Sequence, residues 1–231
     1  MDLNFRPVAV AALAIAATAA IAADNARTIS LFNGKDLSGW KTAGGNGAVQ
    51  WKVGKAALDP SDETKLKMDG PGDELISAER GVNLSSETSF GDCILELEFM
   101  VAKNSNSGVK MMNIYEIQIF DSYGKTTLDK QDSGAVYSET APKVNAAKKP
   151  GEWQTMVIDF RAPRFDPSGN KAANARFAKV TLNRQIVQEN VEIAHGTNVG
   201  RNAKEHPTGP IYLQGDHGPV AFRHVKITPL N

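Results

Sequence analysis

The chain has 231 residues, of which 41% are hydrophobic and 23% charged, with 20 Gly and 11 Pro. This composition excludes a disordered or collagen-like chain. Lys plus Arg and Asp plus Glu both total 26, and a net charge of zero argues against nucleic acid or an anionic membrane as partner. One cysteine, Cys93, and four scattered histidines exclude an internal disulfide and the usual structural zinc spacings.

The first 23 residues differ from the rest. Arg6, offset by Asp2, precedes an apolar run over 8–21 that ends in Ala22-Ala23 before Asp24. The run is nearer to a signal core than to the roughly 20 residues of a membrane-spanning helix. It predicts a signal peptide over 1–23, an exported (periplasmic or secreted) bacterial protein, and a single domain over 24–231. No cysteine stands at the cleavage point to take a lipid.

The rest of the chain carries the pattern of strands. Residues 93–100 alternate strictly, with Leu95, Leu97 and Phe99 on one face and Glu96 and Glu98 on the other. Residues 153–161, 177–182, 185–191, 211–214 and 220–228 read the same way. Asn183-Arg184 has the length of a tight hairpin turn, although Arg is a poor residue for positive φ. Helical periodicity is confined to a turn at 35–37 and the stretch 143–149, closed by Pro150 and Gly151. Many short strands punctuated by Gly, Pro, Asn and Asp predict an all-β, two-sheet antiparallel jelly-roll sandwich. Gly124-Lys125-Thr126 lacks the glycine and helix of a P-loop, and no Gly-x-Ser-x-Gly elbow or His-Glu-x-x-His helix occurs. Cys93 opens a strand and reads as a small buried hydrophobe.

Two segments carry chemistry. In Tyr115-Glu116-Ile117-Gln118-Ile119-Phe120-Asp121, period two puts Tyr115, Ile117 and Ile119 on one face and Glu116, Gln118 and Phe120 on the other. With the isoleucines in the core, a carboxylate, an amide and a ring face a groove. A carboxylate can act as base, an amide can place a hydroxyl, and a flat ring suits a sugar face. A conventional glycosidase needs a second carboxylate across the scissile bond, and Asp121 could join Glu116 only if the strand bends. In the C-terminal segment Tyr212 and Gln214 oppose Ile211 and Leu213, and a Gly-rich turn then carries Asp216 and His217. Arg223 shares a strand face with Val225 and Ile227, where it must find a carboxylate or carbonyls, most simply in a structural salt bridge. His217, between residues of a turn, is hard to explain by packing and is a candidate acid, base or ligand.

Ser30-Leu31-Phe32-Asn33-Gly34-Lys35-Asp36-Leu37-Ser38-Gly39-Trp40 resembles the opening signature of the 3-keto-disaccharide hydrolase domain family, also described as 3-keto-glucoside lyase and hydratase. Asn106-Ser107-Gly108-Val109-Lys110, the segments 115–122, 133–137 and 150–153, and the stretch 209–230 follow its recurring blocks in order. The chain departs from the pattern at Lys110 for Arg, Gln154 for Asn, Arg184 for Gly and His224 for Asn. The resemblance implies a concanavalin A-like jelly roll that binds a glycoside or oligosaccharide and cleaves 3-keto-glycosides by C2 proton abstraction, β-elimination and hydration. It implies Glu116 as base or metal ligand and His217 as acid or ligand. Gln118 and Gln214 would contact hydroxyls, Lys110 or Arg223 would stabilise an enediolate, and Tyr137 would contact the sugar or protonate the leaving oxygen. A divalent metal ion could polarise the ketone, with Glu116 and His217 as its candidate ligands, although no ligand spacing is recognisable. A non-catalytic lectin-like module and a two-carboxylate endo-glycosidase are the alternative functions on the same fold.

Overall fold

The computed structural model describes residues 27–45, 47–197 and 201–230; the segment read as a signal peptide lies outside them. Among the described residues there is no helix, and the strands in chain order are β1 (Ile29–Ser30), β2 (Trp40–Gly45), β3 (Lys52–Gly54), β4 (Ala56–Asp59), β5 (Asp62–Met68) and β6 (Glu74–Ser77). They continue with β7 (Val82–Phe90), β8 (Cys93–Val101), β9 (Asn106–Met111), β10 (Tyr115–Phe120), β11 (Gln154–Arg161) and β12 (Arg164–Phe165). The last are β13 (Lys171–Ala173), β14 (Ala175–Leu182), β15 (Gln185–Ile193), β16 (Gly209–Leu213) and β17 (Val220–Pro229).

Two antiparallel sheets face each other. The larger runs β15-β14-β11-β8-β17-β6-β3, with β1 also on β17, and the smaller runs β10-β9-β16-β7-β2. The expected jelly-roll sandwich is the observed fold. Leu95, Leu97 and Phe99 of β8 and Met156, Ile158 and Phe160 of β11 meet Tyr115, Ile117, Ile119, Ile211 and Leu213 of the smaller sheet in one core. The rings of Tyr115 and Phe160 lie 5.5 Å apart, and those of Phe160 and Phe177 5.3 Å. Each such side chain withdrawn from water contributes about 1.5–3 kcal/mol of transfer free energy. Cys93 belongs to this core, fully buried, and burial pushes its thiol up to about 12.

Local chemistry explains the details. Asn183 and Arg184 take φ of 49° and 68° between the paired Leu182 and Gln185, so the hairpin forms with Arg in the left-handed region. Trp40 donates from its indole nitrogen to the Leu31 carbonyl at 2.8 Å, which ties the N-terminal signature to the sheet edge.

The two expected helical pieces are not helices. At 35–37 the Asn33 side chain accepts from the amides of Lys35 (2.7 Å) and Asp36 (3.0 Å), an Asx turn that ends there. The stretch 143–149 holds one Asx turn, the Ala147 amide donating to Asn145 Oδ1 at 3.1 Å, and otherwise bonds to other segments. The Lys143 amide donates to the Val187 carbonyl at 2.9 Å, and the Lys148 amide to Gln154 Oε1 at 3.0 Å.

Candidate active site on the smaller sheet

Because Tyr115, Ile117 and Ile119 enter the core, β10 presents Glu116 and Gln118 on the opposite face of the smaller sheet. The register sets their neighbours. Glu116 stands opposite Lys110 and Gln118 opposite Gly108 on β9, and Lys110 in turn stands opposite Tyr212 on β16. Just beyond β16, the Gln214 amide donates to the Gly108 carbonyl at 3.0 Å, which brings Gln214 beside this row. On the free edge of β10 the chain returns at 133–137: Gly134 and Tyr137 donate their amides to the carbonyls of Gln118 (2.9 Å) and Glu116 (3.1 Å). Tyr137 is thereby set next to Glu116.

The result is a pocket of about 80 Å³ lined by Asn106, Lys110, Glu116, Gln118, Tyr137, Gln214 and His217. Six of the seven residues singled out from the sequence therefore converge. Glu116 and Gln118 were expected to be exposed to a groove; instead they form a buried floor, 4% and 1% accessible. The reason is that Asn106, Lys110, Tyr137, Gln214 and His217 stand around them.

The charges are arranged around Glu116. Lys110 Nζ lies 3.5 Å from Glu116 Oε2, with both side chains nearly removed from solvent, and 5.0 Å from the centre of the Tyr212 ring. Burial raises the Glu116 carboxyl above its ordinary value, and the positive charges of Lys110 and His217 only partly offset this. Gln118 Nε2 donates to Asn106 Oδ1 at 3.2 Å. The carbonyl oxygens of both Gln118 and Gln214 are buried without a partner among the described residues.

Arg223 does not belong to the site. The pairing of β17 with β8 shifts register between Arg223 and Lys226, and His224 takes φ of 51°. That bulge turns Arg223 out of the face it would share with Val225 and Ile227 in a straight strand. Its Nε donates to Glu98 at 2.7 Å, its Nη1 to Glu74 at 3.3 Å, and its guanidinium stacks 4.1 Å from the Trp153 ring. Asp121 does not join Glu116 either. It lies past the end of β10 and accepts from the amides of Asn104 (3.0 Å) and Tyr123 (3.3 Å).

Sequence reasoning missed Asn106, Tyr212, Asn83 and Asp216 as site residues. Tyr212 was within reach, since it alternates in phase with Gln214. Asp216 sits next to His217, and its carboxylate accepts from the His217 Nδ1–H. Asn83, between Val82 and Leu84 on β7, carries no sequence signal. It is 1% accessible and reaches the 215–217 turn through three hydrogen bonds.

The residues present do not fit a metal centre. Among the described residues no three His, Cys, Asp or Glu side chains are grouped to hold an ion. Beside Glu116 the nearest positive charge is the Lys110 ammonium.

The family model described as the 3-keto-alpha-glucoside-1,2-lyase-like domain matches residues 27–228. Among solved structures, a protein of Parabacteroides distasonis ATCC 8503 provisionally assigned as a glycosyl hydrolase is 28% identical, with a TM-score of 0.68, over 88% of this chain and 84% of its own. Another from the same organism, with the same provisional assignment, is 22% identical with a TM-score of 0.55, over 88% of this chain and 100% of its own. Among curated proteins none matches.

Proposed function

Since the chain belongs to the 3-keto-alpha-glucoside-1,2-lyase-like domain family, we propose that it cleaves glycosides whose sugar carries a ketone at C3, with Glu116 as the base. The observation that carries this reading is the buried Glu116–Lys110 pair, 3.5 Å apart on the pocket floor. A C3 ketone acidifies the C2 proton, so a single carboxylate can remove it. The negative charge that develops on the C3 oxygen is met by a cation held in a site that largely excludes water. Lys110 supplies that cation, so the expected role of Arg223 falls to Lys110 alone.

The sequence of bonds is simple. Glu116 takes the C2 proton, and the C–H electron pair forms the enediolate. The C3 carbonyl then re-forms, the C1–C2 double bond forms, the C1–O bond breaks, and the leaving oxygen takes a proton from His217. In the hydration step water adds at C1, His217 accepts its proton, and Glu116, its carboxyl proton exchanged with solvent once the leaving group has departed, protonates C2. Gln118 and Gln214 accept from sugar hydroxyls through their unpartnered carbonyls, and Tyr137 packs beside the sugar. The pairing of two carboxylates needed by an ordinary glycosidase is unsupported. Asp121 lies elsewhere, and both oxygens of Asp216 already accept hydrogen bonds.

The test is to incubate the protein with a disaccharide and with its C3-oxidised form and follow released sugar. Release from the oxidised form alone is expected, and Glu116→Gln should lower that rate by about 100-fold or more while leaving sugar binding close to normal. Release from the unoxidised sugar alone would favour a glycosidase, and binding without release a lectin-like module.

A further inference from the structure

The turn that follows β16 is held by an unusually complete set of bonds from one side chain. Asn83 Oδ1 accepts from the amides of Gly215 (2.7 Å) and Asp216 (3.2 Å), and Asn83 Nδ2 donates to Asp216 Oδ2 at 3.0 Å. The other oxygen of Asp216 accepts from His217 Nδ1. Burial pushes the Asp216 carboxyl up, and the hydrogen bonds from Asn83 and His217 outweigh it, leaving the carboxyl below its ordinary value and so ionised. With Nδ1 committed, Nε2 is the ring nitrogen of His217 left to exchange a proton.

Depth separates the two ends of the pocket. Glu116 is at the floor, 4% accessible, whereas the His217 side chain is 53% exposed at the mouth. A leaving group has to depart towards the mouth, so the group there is the one placed to protonate it. From this arrangement we propose that Asn83 and Asp216 are positioning residues that hold His217 as the acid for the leaving oxygen, a role that counts when the leaving group is an unactivated alcohol. An alcohol leaving as bare alkoxide would be the costly part of the step, and a fixed acid removes that cost; a phenol of low pKa would not need it. The inference rests on the keto-glycoside reading above.

The experiment compares two 3-keto-glucosides that differ only in the group on C1, methyl or 4-nitrophenyl, with the full chain and its His217→Ala, Asp216→Asn and Asn83→Ala variants. On the methyl glycoside, kcat should fall on the order of 100-fold for His217→Ala and about 10-fold or more for Asp216→Asn and Asn83→Ala, with KM nearly unchanged. The loss on the nitrophenyl glycoside should be smaller by about 10-fold or more in each case, since its leaving group needs no acid. That difference also separates a positioning role from simple damage to the fold, which would lower both rates together. Equal losses on the two substrates, or none, would overturn the inference while an active wild type keeps the functional reading. A wild type inactive on both would overturn the functional reading, and this inference with it.

Discussion

Gly108 has no side chain because Glu116 occupies the space. A Cβ on Gly108 would lie 2.4 Å from Glu116 Oε1 and 3.1 Å from its carboxyl carbon. The residue diagonal to Glu116 across the strand pair must therefore be glycine if the carboxylate is to lie flat on the sheet. Gly108→Ala is expected to swing the flexible Glu116 side chain aside. The fold should lose only about 1 kcal/mol, because the clash is with a movable group, whereas kcat on a 3-keto-glycoside should fall by about 10-fold or more as the base leaves its position. Thermal unfolding and steady-state rates on the same preparation check both halves, and a variant with normal kcat would show that the position of Glu116 does not matter.

The same scale shows what the sequence could convey about the site. Glu116 and Gln118 were legible because period two, anchored by Ile117 and Ile119, leaves them only one face. Lys110, Tyr137, Gln214 and His217 came from the family resemblance or from a polar residue lying where packing could not explain it. Asn83 was not legible, because its role depends on a turn more than 130 residues away in the chain, and no local pattern encodes that approach. Arg223 was misplaced because a bulge adds a residue that alternation counting cannot see. The departures from the family pattern at Arg184 and His224 fall on residues with φ of 68° and 51°, where Gly or Asn fits more easily.

At the scale of elements, β8, β11, β14, β15 and β17 were found close to their observed bounds because buried hydrophobic residues recur between polar ones along each. The strands before β8 were not found. β5 is largely exposed and β7 begins with five buried residues, three of them Asn or Ser, so neither shows clean alternation. The stretch 143–149 read as helix because its composition allows one, yet its amides are claimed by β15 and Gln154.

Connections between elements are held by polar clamps, and Asp92 in the turn between β7 and β8 is one. It accepts from the Ala162 amide at 2.9 Å and from both terminal nitrogens of Arg164 at 2.8 and 2.6 Å, which ties the end of β11 to the start of β8. Burial raises its carboxyl, but the bonds from Arg164 and Ala162 prevail and hold it below the ordinary value of 3.8. A carboxyl lowered in the fold stabilises above its unfolded pKa, and that contribution disappears as pH falls through the lowered value. Asp92→Asn should accordingly cost about 1–2 kcal/mol at pH 7, reduced from a fully buried case because Arg164 is half exposed. The gap between variant and wild type in urea unfolding should narrow towards pH 3. A gap independent of pH would mean that the charge of Asp92 contributes nothing.

Over the whole molecule, the sandwich divides its labour between the two faces of the smaller sheet. One face closes the core against β8, β11 and β14, and this fixes the strands on whose other face the base, its cation and two amides stand. The acid sits on the turn after β16, and that turn is bound to β7 through Asn83. The C2–H bond therefore has to break and re-form in every turnover. The most direct measurement follows cleavage of a C3-oxidised disaccharide in D2O at early times, with the deuterium content at C2 of the released keto-sugar read by NMR against an enzyme-free control. One deuterium at C2 is expected for each bond cleaved, with exchange and cleavage lost together in Glu116→Gln. Released sugar that keeps its original hydrogen at C2 would contradict this mechanism.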